Sequence, residues 1–269
     1  MNKKKFFSHL LLCVILIIII TITIICFFKN NKKWHENNPF IAHALYGIEN
    51  IDYTNSYESL ELGYSKGLKI FEADFLLTSD EQVILTHHWE NNEPLSHQEF
   101  MSKKIHDKYT PLDLEDLLLY MKKHKDIYVV IDTKQNMFDL SKHFDVYSKI
   151  VDETRKIDSK LLNRFIVQIY DYDEFEKIKN IYNFKDYIFT IYKLEDFSLP
   201  ELTSFCVSNN IDTIVFPHEY IYNRILNRHD IKYIKEQNLK VYTHTVNDKS
   251  LYDYYTLNGI DGIFTDSLY

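Results

Sequence analysis

The sequence predicts an eight-stranded parallel β/α barrel, a (β/α)8 domain, behind one membrane-spanning helix. Three observations predict it: an uncharged apolar run at 6–28, nine short strand-like runs separated by amphipathic stretches, and one gap between runs that is too short for a helix. Strands that alternate with helical patterns of this length are typical of a parallel sheet covered by helices.

The N-terminal run reads FFSHLLLCVILIIIITITIICFF and contains no Asp, Glu, Lys or Arg. At about 1.5 Å per residue it gives a helix of roughly 34 Å, enough to cross a hydrocarbon core of about 30 Å. The alternative is a cleaved secretory signal, but the run is long and no Ala-x-Ala-like site follows it. We therefore predict a single-pass anchor with its basic flanks over residues 1–33, and a barrel domain over 34–269.

Charge places limits on location and partners. Three lysines flank each end of the apolar run, so the positive-inside rule is nearly balanced; we expect a cell-membrane protein with its barrel outside the cytoplasm. The run and its flanks hold six of the 31 basic residues and none of the 39 acidic ones, which leaves the barrel domain 25 basic against 39 acidic residues, a net charge of −14. This argues against nucleic acid as a partner.

Cys206 is the one cysteine of this domain, which allows no intrachain disulfide there. No obligate protein partner is indicated.

The strand-like runs account for the barrel once one of them is set aside. They cover 40–43, 68–76, 82–87, 127–132, 164–169, 187–191, 212–216, 239–245 and 260–264. About five residues, TSDEQ, separate the second run from the third, whereas a parallel crossover needs a dozen or more. These two runs must form an antiparallel hairpin that turns near Ser79 and Asp80. Without the return arm, eight parallel strands remain, the number that a TIM barrel requires.

Two of the intervening helices have recognisable starts. Thr110 is a predicted N-cap for a helix over 111–124, which opens on a proline. Asp171 has the same role for a helix over 172–182, with Glu174 three residues on, as in a capping box.

Two carboxylates share one face of the second strand. The period of two places Glu72 and Asp74 on the same side of IFEAD. Burying both without partners inside a barrel would be costly, and a hard divalent cation such as Ca²⁺ or Mg²⁺ would relieve that cost. The alternative is that both lie at the solvated rim in salt bridges.

The run IYVVI is followed by Asp132 and Lys134, again two apart and at the end of a strand. Asp132 could complete a three-carboxylate metal site, and Lys134 could bind an anionic group of the substrate. Taken alone, the pair could equally cap a loop.

Two histidines also lie at the ends of predicted strands. His43 ends the first strand, and the hairpin returns at about His87 to the level of Asp74. Two imidazoles beside a metal site suit general acid and general base catalysis near neutral pH. His88 points to the other side of the return arm, and His244 is a secondary candidate that could instead be a packing residue.

The order of these residues resembles a known family, the glycerophosphodiester phosphodiesterases of the phosphatidylinositol-phospholipase-C-like superfamily. The matching segments read IAHA, YTNS, KGLKIFEADFLLTSDEQVILTHHW, YVVIDTK, HTVND and GIDGIFTD. Each segment is weakly specific, but together they run from His43 to Asp266.

This resemblance implies a phosphoric diester hydrolase that cleaves glycerophosphodiesters or related lipid head-group phosphodiesters. It implies a divalent cation, Ca²⁺ or Mg²⁺, on the three carboxylates, acid and base roles for His43 and His87, and a phosphate contact from Lys134. Asn55 falls on the family's Glu-Asn-Thr segment, and His88 and His244 fall on further motif positions, as secondary candidates.

Several positions depart from the family pattern. Ala44 replaces the Arg that follows the first histidine, His88 replaces an Asp, and His244 replaces a Trp. Thr54 stands for a Glu, and the third carboxylate, Asp132, is an Asp where the family has Glu, as in the sphingomyelinase-D-like branch. The alternatives are therefore a phospholipase-C/D-like lyase or lipase of the same superfamily, and an inactive barrel that acts as a surface binding protein.

Overall fold

The computed structural model describes residues 14–21, 33–89, 92–194 and 196–268. Contacts divide the chain into one unit that ends at Asn37 and a second that begins at Asn38. In the first unit, the described residues 14–21 are helical. Most of the predicted anchor, 6–28, lies outside the described residues. No helix within the described part of the chain combines the length and the apolar character needed to span a membrane.

Nine strands form the frame of the second unit. They are β1 Phe40–Ala42, β2 Ile70–Leu77, β3 Val83–Leu85, β4 Tyr128–Thr133, β5 Phe165–Ile169, β6 Asp186–Thr190, β7 Thr213–Pro217, β8 Lys240–His244 and β9 Gly262–Thr265. The strand β1 pairs in parallel with both β9 and β2, which closes a ring in the order β1, β2, β4, β5, β6, β7, β8, β9. Among the described residues only β3 is antiparallel, and Val83–Leu85 pair with residues 75–77 of β2. The predicted eight-stranded barrel with one extra hairpin is confirmed.

Helices follow the strands around the ring. Those of the second unit are α1 Tyr57–Ser65, α2 His97–Ser102, α3 Leu114–Lys123, α4 His143–Asp158, α5 Tyr172–Ile181, α6 Leu199–Ser208, α7 His218–Tyr222, α8 Arg228–Glu236 and α9 Lys249–Leu257. Short 3-10 helices cover His43–Leu45, Gln135–Met137, Leu140–Lys142, Ser159–Arg164 and Ile191–Lys193.

The alternation of side chains along β2 separates the core from the site. Phe71, Ala73 and Phe75 are fully buried on the outer face and join the core between sheet and helices. Burying one phenylalanine stabilises the fold by about 1.5 to 3 kcal/mol. The inward face carries Glu72 and Asp74 at the carboxyl end of the strand, so the apolar layer outside the sheet supports a polar mouth inside it.

Helix α3 starts later than the sequence predicts. Its N-cap is Asp113, whose side chain accepts a hydrogen bond from the Asp116 amide at 2.9 Å. Thr110 is not a cap, because its amide and hydroxyl donate to Glu58 at 2.7 and 2.8 Å. The Leu112 carbonyl accepts from the amide of Leu85 in β3, which keeps this segment extended.

Helix α5 begins as predicted at its cap. Asp171 accepts from the Glu174 amide at 2.7 Å. The Glu174 carboxylate does not complete a capping box, because it accepts from the Tyr170 amide at 2.7 Å and pairs with His143 at 2.8 Å.

The hairpin register differs by one residue from the prediction. Its turn is closed by the Thr78 amide, which donates to the Gln82 carbonyl at 2.9 Å. The strand pairing continues with the Thr86 amide, which donates to the Asp74 carbonyl at 3.0 Å. Thr86 is thus level with Asp74, and His87 lies one residue beyond it.

Candidate active site

Three carboxylates converge at the carboxyl ends of β2 and β4. Glu72, Asp74 and Asp132 are all buried, and one ligand oxygen from each lies within 4.8 Å of the other two. Ligands at 2.3 to 2.6 Å from one cation are separated by up to about 5 Å, so this spacing suits a single ion. The alternative of solvated salt bridges at the rim is wrong, because Glu72 is 1% exposed.

Unpartnered oxygens show that the donor set fits a cation. Glu72 Oε1, Asp74 Oδ1 and Asp132 Oδ1 are buried and accept no hydrogen bond within the protein. The Ala44 amide donates to Glu72 Oε2 at 2.6 Å, so Glu72 is held through one oxygen while the other accepts no hydrogen bond. Buried anionic oxygens without partners are costly, and a hard cation is the ligand that carboxylate oxygens prefer.

Lys134 lies beside the cluster. Its Nζ donates to Asp132 Oδ2 at 2.5 Å and stands 3.2 Å from Asp74 Oδ1, close enough for an ion pair but without hydrogen-bond geometry. Burial opposes its charge, yet Asp132 and Asp74 together raise the pKa of Lys134 well above its usual range. The ammonium group is therefore charged, and it is placed to interact with an anion.

The carboxylates do not ionise equally. Burial and then the charge of Asp74 raise the pKa of Glu72 to about 8. Burial also opposes ionisation of Asp132, but Lys134 outweighs it and lowers the pKa of that carboxyl. Glu72 is thus the carboxyl that loses its proton when a cation compensates the negative charge of the cluster.

Asn55 orients the second carboxylate. Its Nδ2 donates to Asp74 Oδ2 at 2.8 Å, and its Oδ1 accepts from the Asp74 amide at 3.0 Å. Because Asn55 is fully buried, this two-point contact fixes the loop before α1 to β2. The residue predicted as secondary supports the cluster without being one of its three carboxylates.

His43 enters the mouth from the end of β1. Its Nδ1 lies 2.7 Å from Asp266 Oδ1, and Asp266 is in turn held by Asn247, whose Nδ2 donates to Oδ2 at 2.8 Å. Burial opposes protonation, but the bond to Asp266 and the nearby charge of Glu72 raise the pKa of His43 to about 9. His43 is therefore protonated at neutral pH.

His87 lies near the same centre and has the opposite character. Burial lowers its pKa and the charge of Lys134 adds to this effect, which outweighs the opposing charge of Asp74, so the imidazole is neutral at neutral pH. The ring of Tyr53 lies between the two histidines, 4.6 Å from the His87 ring and 4.8 Å from the His43 ring. His88 is exposed, and its ring is 5.7 Å from that of His87.

His244 lies at the end of β8, across the ring from β4. It stacks on Tyr192 at 4.0 Å, with Nδ1 at 2.5 Å from the Tyr192 hydroxyl, and its Nε2 has no partner. Burial lowers the pKa of His244 to about 3, and the charge of His43 adds to this shift while that of Asp132 opposes it, so the neutral ring belongs to the same electrostatic environment.

Residues 44–268 match the sequence model of the glycerophosphoryl diester phosphodiesterase family. The chain belongs to this family. It is a phosphoric diester hydrolase of the glycerophosphodiester phosphodiesterase class. No protein of curated function matches the sequence.

Solved structures agree in fold. A glycerophosphodiester phosphodiesterase from Parabacteroides distasonis is 19% identical, with a TM-score of 0.68 over 85% of this chain and 92% of that one. The enzyme from Thermotoga maritima is 15% identical, with a TM-score of 0.63 over 85% and 94%. A phosphodiesterase from Oleispira antarctica, solved with the product sn-glycerol-3-phosphate, is 14% identical, with a TM-score of 0.67 over 87% and 96%. These likenesses establish the shared barrel.

Enzymes of this family are metal-dependent, and the acidic cluster supplies a site that could hold the ion. The departures from the family pattern fall around the cluster. At Ala44 the backbone amide still binds Glu72, but the cationic side chain is lost. The loss of the family's Asp at His88 falls on an exposed position, outside the buried cluster.

Sequence reasoning missed three residues of this site. Asp266 directly follows the apolar strand β9, and Asp132 lies near the end of β4, so its position after a strand could have identified Asp266. Gln168, whose Nε2 donates to Asp132 Oδ2 at 3.2 Å, carries no sequence signal. Neither does Tyr53, because only tertiary contacts bring it between the histidines.

Proposed function

We propose that this chain hydrolyses a glycerophosphodiester, or a related lipid head-group phosphodiester, with one divalent cation on Glu72, Asp74 and Asp132. His43 and His87 are the proton-transfer pair. The observation that carries this proposal is the convergence of three buried carboxylates beside a charged lysine, with two histidines nearby.

The residues around the cluster have separate roles in the proposed reaction. When bound, Ca²⁺ or Mg²⁺ would supply Lewis-acid charge toward a phosphoryl oxygen. Lys134 binds a second oxygen of the same group, which is an electrostatic role. The Asp74 carboxylate is held in place by Asn55 on the opposite side from Lys134.

The two histidines start in complementary protonation states. His43, backed by Asp266, carries a proton that it can donate to the leaving alkoxide. His87 is neutral and can take a proton from the attacking hydroxyl or water. An acid and a base with pKa values on either side of neutrality suit this exchange.

Membrane attachment is part of the proposal. The support for it is the uncharged apolar run at 6–28, which has the length of a bilayer-spanning helix. We expect the full chain to resist extraction by alkaline carbonate and to dissolve only in detergent. We expect protease added to intact cells to cleave the barrel domain, because it lies outside the cytoplasm. A chain recovered in the soluble fraction would refute the tether.

A panel of glycerophosphodiesters tests the reaction. The full-length chain in detergent is incubated with each substrate, with chelator and then with Ca²⁺ or Mg²⁺, and products are followed by phosphorus NMR. We expect metal-dependent release of a phosphomonoester and its loss in His43→Gln and His87→Gln. A stable cyclic phosphate would instead indicate the lyase reaction.

A second candidate is a barrel that binds phosphodiesters without turning them over. The observation that favours it is Ala44, which removes a cationic phosphate contact from the family pattern. Substrate binding by calorimetry without product under any metal condition would support this candidate over hydrolysis.

A further inference from the structure

Tyr53 occupies the space between the two proposed proton-transfer groups. Its ring meets His43 edge-on at 4.8 Å and His87 edge-on at 4.6 Å. Burial and the charges of Asp266 and Asp74 raise the pKa of its hydroxyl. A phosphodiester that is to contact both imidazoles needs this same space.

The loop that carries Tyr53 is held firmly, and the ring itself is partly exposed. Tyr53 has a φ of 59° and Asn55 a φ of 46°, both in the left-handed region that non-glycine residues seldom adopt. The two hydrogen bonds between Asn55 and Asp74 hold this backbone in place. Thr54 is buried beside it, whereas Tyr53 is 44% exposed. The backbone is therefore fixed to the cluster, whereas the Tyr53 side chain is partly open to solvent.

The atoms beneath the ring are closed to solvent. The free oxygens of Glu72, Asp74 and Asp132 are all buried from water in this structure. A substrate cannot reach them without a side-chain movement at the mouth, and Tyr53 is the exposed residue that contacts both histidines.

We propose that Tyr53 is a gate that the substrate displaces: its ring occupies the place of the phosphodiester between His43 and His87, and rotates outward when the substrate binds. This proposal rests on the proposed function for its choice of ligand. Rotamer changes of exposed side chains take picoseconds to nanoseconds, so the gate does not limit turnover. It weakens binding, because the apparent affinity is reduced by the fraction of time that the gate is open.

Substitutions distinguish a gate from a binding wall. Each edge-to-face contact corresponds to roughly a two- to tenfold factor in the gate equilibrium. We expect Tyr53→Ala to lower KM by about tenfold with kcat little changed, and Tyr53→Phe, which keeps the ring, to behave as the natural protein. Tyr57→Ala is the matched control, because Tyr57 is 41% exposed in the next helix and its ring contact is with Tyr120.

A binding measurement separates this proposal from the reaction itself. The dissociation constant of sn-glycerol 3-phosphate is measured by calorimetry on the full-length chain, and the imidazole proton shifts of His43 and His87 are followed by NMR. Under the proposal, ligand moves these shifts toward their values in Tyr53→Ala, and that variant binds more tightly. Such behaviour without turnover would uphold the gate and refute hydrolysis. A raised KM, a lowered kcat at constant KM, or no change in Tyr53→Ala would overturn the gate.

Discussion

Replacing Glu72 by Gln should make the metal-free protein more stable while weakening its response to metal. Glu72 is 1% exposed, and burial together with Asp74 raises its pKa from 4.5 to about 8. Because the folded pKa is raised, the native state holds a proton that the unfolded chain has already lost between these two values. Stability from this group therefore falls as pH rises from about 4.5 to about 8.

The size of the effect follows from the shift. At about 1.36 kcal/mol per pKa unit, the shift corresponds to about 5 kcal/mol of lost stability above pH 8, as an upper bound. Part of this cost is shared with Asp74, so we expect Glu72→Gln to recover about 2 to 5 kcal/mol. For a domain of this size that is roughly 5 to 15 °C in Tm. The amide oxygen of Gln can still accept the hydrogen bond from Ala44.

Thermal unfolding monitored in chelator at pH 5 and at pH 8.5, and again with Ca²⁺ or Mg²⁺, tests this reasoning. At pH 8.5 in chelator, we expect the Tm of the variant to be higher than that of the natural protein. On addition of metal, its Tm should rise by less, because one anionic ligand is gone. Glu58→Gln is the control of opposite sign: burial opposes the ionisation of Glu58, but the hydrogen bonds from Thr110 lower its pKa, so its contribution is present at pH 8.5 and lost in acid. Glu72 would be refuted as a ligand if the Glu72→Gln protein had a lower Tm than the natural protein at pH 8.5 and if metal raised the Tm of both proteins equally.

Three further results are expected. The pKa of His43, followed by NMR, should fall from about 9 when Ca²⁺ or Mg²⁺ is added, because the charges of Glu72 and Asp74 that help to raise it are neutralised; an unchanged value would place the cation elsewhere. Asp266→Asn should lower that pKa in chelator as well, and reduce kcat by roughly 100-fold in initial-rate assays with Tm nearly constant. Lys134→Met should raise the inhibition constant of inorganic phosphate at least about tenfold, and a smaller change would argue against its phosphate contact.

The fold was accessible from the sequence because its signals are local. The gap TSDEQ alone identified the hairpin, and the eight remaining strands close as predicted. The errors are at element ends, where a distant partner competes with a local rule. Thr110 has the composition of an N-cap, but Glu58 binds it and Asp113 caps the helix instead.

The site residues could be predicted from the sequence to the extent that position along a strand determines which way a side chain points. The period of two and the strand ends identified Glu72, Asp74 and Asp132, and the structure brings one carboxylate oxygen of each within 4.8 Å of the other two. His43 and His87 were found by the same rule. Their separate characters were not, because pKa depends on burial and on partners distant in sequence, such as Asp266 for His43.

The sequence by itself therefore determined the barrel, the acidic cluster and the two histidines, since strand periodicity and loop length are properties of short segments. Only the tertiary structure decided that one oxygen of each carboxylate accepts no hydrogen bond, that Asp266 backs His43, and that Tyr53 lies between the histidines. These features come from contacts between residues far apart in the chain, and no short segment contains the distances on which they depend.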